Sequence, residues 1–265
     1  MHFSNIDTKD IERLIPLQPK DWNVTEEALF SLITNIITRA YKLVHNDQIL
    51  GMGAITYHKT TAWLSHIVVA ESFRNKGFGA EITQFLVHQA WNNGCINVQL
   101  TATEQGLKVY EKVGFKQLSE YHFYSGIELK EEVDDSFVFP FNLQLKNAIL
   151  ALDLTFSKED RTLMLGKHLQ DGLYYIEDGE LKGFYLPTLT EGLVLANDNK
   201  AGLTLLHIHL RTNQKVVVPT ENHFIINLFD SLGHSAFMTA PRMYIGKKPE
   251  VQLSAIFNRI GGALG

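Results

Sequence analysis

The sequence predicts a mixed α/β protein built as two similar halves. Three observations carry this. An apolar strand, a turn with two glycines and a helix follow one another directly between Thr61 and Leu86. Strand-like and helix-like periods alternate through residues 1–128. Beyond a charged passage at Leu129–Ser136, the same order of elements returns in outline.

Along the first half, Thr8 to Leu14 and Thr25 to Thr34 read as amphipathic helices, the second opened by Thr25 with Glu26 and Glu27 in its first turn. Ala40 to Val44 and Leu50 to Tyr57 read as strands joined at His45-Asn46-Asp47. Thr61 to Ala70 is the strand feeding the glycine turn. The helix from Ala80 to Trp91 has Ile82, Phe85, Leu86 and Ala90 at helical spacing and stops at Asn92-Asn93-Gly94. Ile96 to Ala102 is a strand, and Glu104 to Val113 a helix closed by Gly114. Phe115 to Leu118 and Tyr121 to Glu128 read as two further strands.

In the second half, Gly172 to Asp178 and Leu181 to Pro187 form a hairpin across Asp178-Gly179. Gly192 to Ala196 is a strand, Ala196 to Gly202 a loop, and Leu203 to Arg211 a helix. Val216 to Pro219 is a strand, Ile225 to Leu232 a helix, and Gly233 falls where Gly114 fell. An internal duplication is expected.

With 265 residues the chain is long enough for two ordinary domains. Hydrophobic residues at 45% and charged residues at 20% describe a soluble globular protein. Net charge is −5 with no lysine or arginine run, so nucleic acid is not an expected partner. Cys95 is the only cysteine, which excludes an internal disulfide and a Cys-based zinc cluster; a buried, inert thiol is expected. The histidines give no metal-ligand pattern, since His207 and His209 point to different faces of one helix. No apolar run approaches the ~20 residues that cross a bilayer. Met1-His2-Phe3-Ser4 offers no signal sequence, so a cytoplasmic protein without membrane partner is expected.

Val68 to Ala80 is the most informative stretch. A strand, a turn containing Gly77 and Gly79, and a helix start present unpaired N–H groups at the positive end of a helix dipole, which suits a phosphate or pyrophosphate. Without Cβ, the two glycines let an anion approach the main chain. The turn is neither a Walker A loop nor a G-x-G-x-x-G fingerprint.

Arg74-Asn75-Lys76-Gly77-Phe78-Gly79 resembles the R/Q-x-x-G-x-G/A acyl-CoA loop of the GNAT superfamily of N-acetyltransferases. Val109-Tyr110-Glu111-Lys112-Val113-Gly114-Phe115 resembles that superfamily's fourth-helix signature, one helix and one strand later. Trp22-Asn23, Thr101-Ala102-Thr103, Arg242-Met243 and Ala263-Leu264-Gly265 resemble tandem-GNAT proteins, in which a complete N-terminal domain precedes a divergent one. The resemblance implies two GNAT-like domains, each a mixed, mostly antiparallel central sheet flanked by helices. Residues 1–128 would be the GNAT domain with the acyl-CoA loop, 129–142 a linker, and 143–265 the divergent domain. The second copy has no R-x-x-G-x-G and no tyrosine in place of Tyr110, so it is expected to support the first.

The implied reaction is transfer of acetyl from acetyl-CoA to a primary amine by direct attack. Amides from Arg74, Asn75, Lys76, Gly77, Phe78, Gly79 and Ala80 would hold the pyrophosphate. Main-chain groups of Ile67, Val68 and Val69 would pair with the pantetheine arm like an added strand. A backbone N–H near Val68 or Val69 would polarise the thioester. Tyr110, beside the sulfur in the family, would protonate the departing thiolate or donate a hydrogen bond to it; its other reading is packing of helix on sheet. Glu111 and Lys112 read as solvated surface groups. Some members place a glutamate early in the fourth strand, but Thr61 to His66 contains none. His66 is the candidate base, acting directly or through water, or else points elsewhere. Glu104 reads as a helix N-terminal charge. Gly51 and Gly53 relieve crowding beside the acyl group, or else mark sheet packing or a bulge.

No metal is expected. The acceptor would be a small-molecule or protein amine, and the chain a monomer or homodimer. A rival reading is a non-catalytic acyl-CoA-binding sensor or assembly module. A third, a nucleotide-binding enzyme using the same loop, would favour a mononucleotide over CoA.

Overall fold

The structure is a computed structural model that describes residues 1–22, 24–129 and 133–264. Asn23, Lys130 to Glu132 and Gly265 lie outside it. The charged passage at 129–136 and two of the tandem-type signatures, Trp22-Asn23 and Ala263-Leu264-Gly265, are therefore described only in part.

The chain divides into two compact units. Unit 1 comprises Met1–Lys116, Met243–Lys248 and Gly262–Leu264; unit 2 comprises Gln117–Arg242 and Pro249–Gly261. These limits are drawn differently from the 128/143 division expected from sequence, because unit 1 includes residues from far along the chain.

Unit 1 contains β1 (His2–Asn5), α1 (Ile11–Leu14), α2 (Glu26–Thr34), β2 (Thr38–His45), β3 (Gln48–His58), β4 (Thr61–Val69), α3 (Phe78–Asn92), β5 (Asn97–Thr101) and α4 (Glu104–Val113). β1 to β4 pair antiparallel in order, and β5 runs parallel to β4. The hairpin after β2 turns on Asn46 and Asp47, both at positive φ, as the sequence predicts. α3 lays Ile82 and Leu86 on one face of the sheet, with Leu50, Ile55 and Leu100. Leu14 and Leu29, on α1 and α2, cover the other face over Met52, Ala54 and Val68. α2 and α4 open at threonine caps: Thr25 accepts from the Ala28 amide and Thr103 from the Gly106 amide.

Unit 2 contains β6 (Lys116–Ser125), whose first residue is the last of unit 1, β7 (Val138–Pro140), α5 (Lys146–Ser157), α6 (Thr162–Leu165), β8 (Leu173–Glu177), β9 (Glu180–Leu186), β10 (Leu193–Ala196), α7 (Asn199–Leu210), β11 (Lys215–Pro219) and α8 (His223–Ser231). β12 (Met238–Gly246) contributes Met238–Arg242 here and Met243–Gly246 to unit 1, and β13 (Ile256–Asn258) closes the set. β7, β8, β9, β10 and β13 form an antiparallel sheet in that order, while β11 pairs antiparallel with β6. The core gathers Tyr175, Val194, Leu205, Ile225 and Phe229. Buried Arg161 pairs with buried Asp153, and buried Arg259 with half-buried Glu191.

Three sequence readings change. The two strands expected over Phe115–Glu128 are one strand, β6, held by its ladder to β11 through Tyr121↔Pro219 and Ser125↔Lys215. α7 starts at Asn199 rather than Leu203, because the Asp198 side chain caps it by accepting from the Ala201 amide. β1, β7, α5, α6, β12 and β13 had no reading as strand or helix in the sequence.

Candidate functional site

In unit 1, β4 and β5 part company. Their ladder runs from Thr61↔Asn97 to Trp63↔Gln99 and stops there. On its other edge β4 stays with β3, but the register slips opposite Gly53 between Ser65↔Ala54 and Val68↔Met52. His66 takes the slip at φ 52. A non-glycine residue pays roughly 1–2 kcal/mol for that conformation. The bulge bends the strand, and strain of this kind gathers at functional positions.

Beyond the bulge, the direction of each backbone group is fixed by its neighbours. The Ala70 amide donates to the Leu50 carbonyl, 2.9 Å away, so it faces β3. The Val68 carbonyl also faces β3, where a Cβ on Gly51 would come within 2.5 Å of it. By the two-residue alternation of a strand, the amides of Ile67 and Val69 face the free edge toward β5. The Val69 carbonyl lies there too and accepts from Arg74 Nε at 3.2 Å. Of the Val68 and Val69 amides, only that of Val69 faces the free edge.

β4 leads into the glycine loop. Asn75 and Gly77 have φ of 61° and 90°, and Gly77 stands at the start of α3 without any side-chain cap. The amides of the first helical turn have no partner within the helix. A Cβ on Gly79 would lie 3.9 Å from Val69 and 3.7 Å from Val109, ordinary contact distances. Gly79 therefore sits where the end of β4, the start of α3 and the middle of α4 converge. Arg74, Asn75, Lys76 and Gly77 are exposed; Phe78, Gly79 and Ala80 are half-buried.

Tyr110, next to Val109, is buried at 9% exposure and packs beside Phe115, ring centroids 6.1 Å apart. Burial pushes its phenol up to about 12. The ring lies over Gly106, where a Cβ would meet it at 2.6 Å. Gly106 was missed from sequence, although a glycine four residues before the tyrosine on the same helix face is the signal that could have found it.

His66 is half-buried, with Nδ1 3.0 Å from the Ser65 hydroxyl. The Trp22 ring meets it edge-on at 6.5 Å. Burial holds its pKa below the ordinary 6.5, so the ring is neutral at pH 7. His66 and Tyr110 sit on different elements, β4 and α4.

The remaining candidates resolve simply. Glu104 is exposed in the first turn of α4. Glu111 and Lys112 are exposed. The Cys95 thiol is buried and pushed up to about 11. Gly51 and Gly53 admit Ile82 and Leu86 of α3 against the sheet, the packing role. His209 is buried between the Tyr185 hydroxyl and the Lys215 carbonyl. Among the described residues no group of three or more His, Cys, Asp or Glu is placed to hold a metal, and no helix is long and apolar enough to cross a membrane.

Residues 22–130 match the family described as the acetyltransferase (GNAT) domain. Among curated proteins the chain is similar to two uncharacterized N-acetyltransferases of Bacillus subtilis. The match to YobR is 31% identical over 86 residues, covering 31% of this chain and 35% of that protein. The match to YitH is 23% identical over 239 residues, covering 85% and 84%. Among solved structures, a Pyrococcus horikoshii protein whose description names an acetyltransferase has a TM-score of 0.84 at 18% identity, covering 100% of this chain and 95% of its own. A tandem GNAT protein of the clavulanic acid pathway has 0.59 at 11% identity, covering 92% and 98%. Residues 22–130 thus match the acetyltransferase (GNAT) domain family, and over nearly its full length the chain shares its fold with these two solved structures.

Proposed function

We propose that this protein transfers the acetyl group of acetyl-CoA to a primary amine, with the active site in unit 1. One observation carries the reading: β4 leaves β5 after Trp63 and runs, with a free edge, into an uncapped helix start at Gly77. The free edge supplies strand-like pairing for the pantetheine amides, and the first turn of α3 supplies donors for the pyrophosphate. The Val69 amide polarises the thioester carbonyl, a contribution worth ~10²–10³ in rate.

Tyr110 acts as a hydrogen-bond donor to the leaving thiolate. With its phenol pushed up to about 12, full transfer to a thiolate of pKa ~8.5 is uphill by about 5 kcal/mol, while donation costs no ionisation. His66, neutral at pH 7, accepts the amine's proton directly or through water. The acceptor is a small-molecule or protein amine.

The absence of a carboxylate from Thr61 to His66 favours a second reading, an acyl-CoA-binding module without turnover. Calorimetry with acetyl-CoA tests what the two share, and steady thiol release across an amine panel separates them. Binding without release under any amine leaves the module; no binding removes both.

A further inference from the structure

Unit 2 repeats the arrangement that frames the cleft of unit 1. Gly183 on β9 faces Leu195 O as Gly51 faces Val68 O, with a hypothetical Cβ at 2.9 Å and 2.5 Å respectively. Asn197 N donates to Lys182 O as Ala70 N donates to Leu50 O. β10 therefore corresponds to β4, α7 to α3, and β11 to β5. The space between β10 and β11 corresponds to the opening between β4 and β5.

That space is filled by the chain itself. β13 pairs antiparallel with β10 through Val194↔Asn258 and Leu195↔Ile256. On its other side it reaches β11: the Arg259 amide donates to Val217 O at 3.0 Å, and the Val217 amide donates to Asn258 Oδ1 at 2.8 Å. Asn258 Nδ2 donates to the carbonyls of Glu191 and Gly192 at 2.8 and 2.7 Å, and Asn222 Nδ2 to Ile256 O at 3.0 Å. Phe257, 1% exposed, lies with its ring on Gly202 of α7, where no Cβ fits. The helix start is occupied as well, since the Asp198 carboxylate takes the Ala201 amide.

We infer that β13 with Asn258 is a built-in occupant of the cleft in unit 2, standing where the pantetheine arm of an acyl-CoA runs in unit 1, so that unit 2 binds no acyl-CoA. The correspondence with pantetheine rests on the function proposed for unit 1. Hydrogen exchange on the full chain tests it, with acetyl-CoA as the probe.

In the free protein, amides of Leu193–Ala196 and Val216–Val218 should exchange as slowly as core strands. Adding acetyl-CoA should slow Ile67–Ala80 and leave residues 193–202 unchanged. Protection gained at 193–202 overturns the inference. Protection missing at Ile67–Ala80 overturns instead the function proposed for unit 1, so the two failures are distinct. Asn258→Ala removes the side chain that bridges both neighbours. It should speed exchange at Val217 and Leu193–Ala196 at least tenfold without ligand, with Ile67–Val69 unaltered. No acceleration there overturns the inference, and if the variant does not fold, the wild-type measurements decide.

Discussion

α4 of unit 1 and α8 of unit 2 end in the same way yet carry different groups. Each closes on a glycine at positive φ, Gly114 at 107° and Gly233 at 82°. The residue after each glycine donates back, Phe115 N to Tyr110 O and His234 N to Phe229 O. Tyr110 and Phe229 are therefore equivalent positions, a ring with a hydroxyl and a ring without one. The connections before α3 and α7 differ more: eight residues, 70–77, link β4 to α3, while two, 197–198, link β10 to α7. What the halves share is what shapes the backbone: close-approach glycines, left-handed caps and hairpin turns. What they do not share is the long connection with Gly77 ahead of α3, and the hydroxyl of Tyr110.

The sharpest way to break this comparison is a reciprocal exchange. Tyr110→Phe should lower turnover about 100-fold, the low end for a proton-handling group because full transfer is uphill, with little change in melting temperature. Phe229→Tyr should leave turnover alone and cost ~1–3 kcal/mol, since Phe229 is fully enclosed and a hydroxyl there lacks a partner. Wild-type turnover in Tyr110→Phe would remove the donor role.

A subtler test moves the ring without changing it. Gly106→Ala gains up to ~1 kcal/mol of helix propensity but drives a Cβ into the Tyr110 ring. Turnover should fall about tenfold while KM for acetyl-CoA and the unfolding midpoint change little. A fall in stability with turnover intact would mean that the ring only packs α4 on the sheet.

The smallest effect concerns unit 2 alone. Burial holds the pKa of His209 below 6.5, so the neutral ring is favoured in the fold while the unfolded chain protonates it freely. Its contribution to stability is complete above pH ~6.5 and is lost as pH falls from there through the folded value. Urea midpoints between pH 7 and 5 should fall more steeply in the parent than in His209→Gln. Equal slopes would count against this assignment.

Much of this was legible because it is local. The Glu104–Val113 helix, the turn at Asn46-Asp47 and the glycine loop each depend on residues adjacent in sequence, and each appeared where the pattern put it. Asp198 was read as loop because a cap and a loop aspartate look alike until the helix behind it is known. β13 was invisible since Ile256-Phe257-Asn258 is too short to show a period, and its pairing comes from residues more than 60 positions away. Which Val68 or Val69 amide faces outward depends on the pairing to β3, which no motif encodes.

Unit 1 takes its last strand from Met243–Gly246, anchored by the Lys247 amide on Ile96 O and by Gly246, whose hydrogen leaves room for that same carbonyl. On a ribosome adding roughly 5–20 residues per second, the stretch between Lys116 and Met243 takes on the order of ten seconds to emerge. Throughout that delay the nascent amino-terminal half keeps the outer edge of β5 bare, a ready template for mispairing with another chain. Synthesis order therefore leaves that edge open to mispairing until β12 arrives, and an expression fragment ending near residue 128 would carry the same unpaired edge permanently.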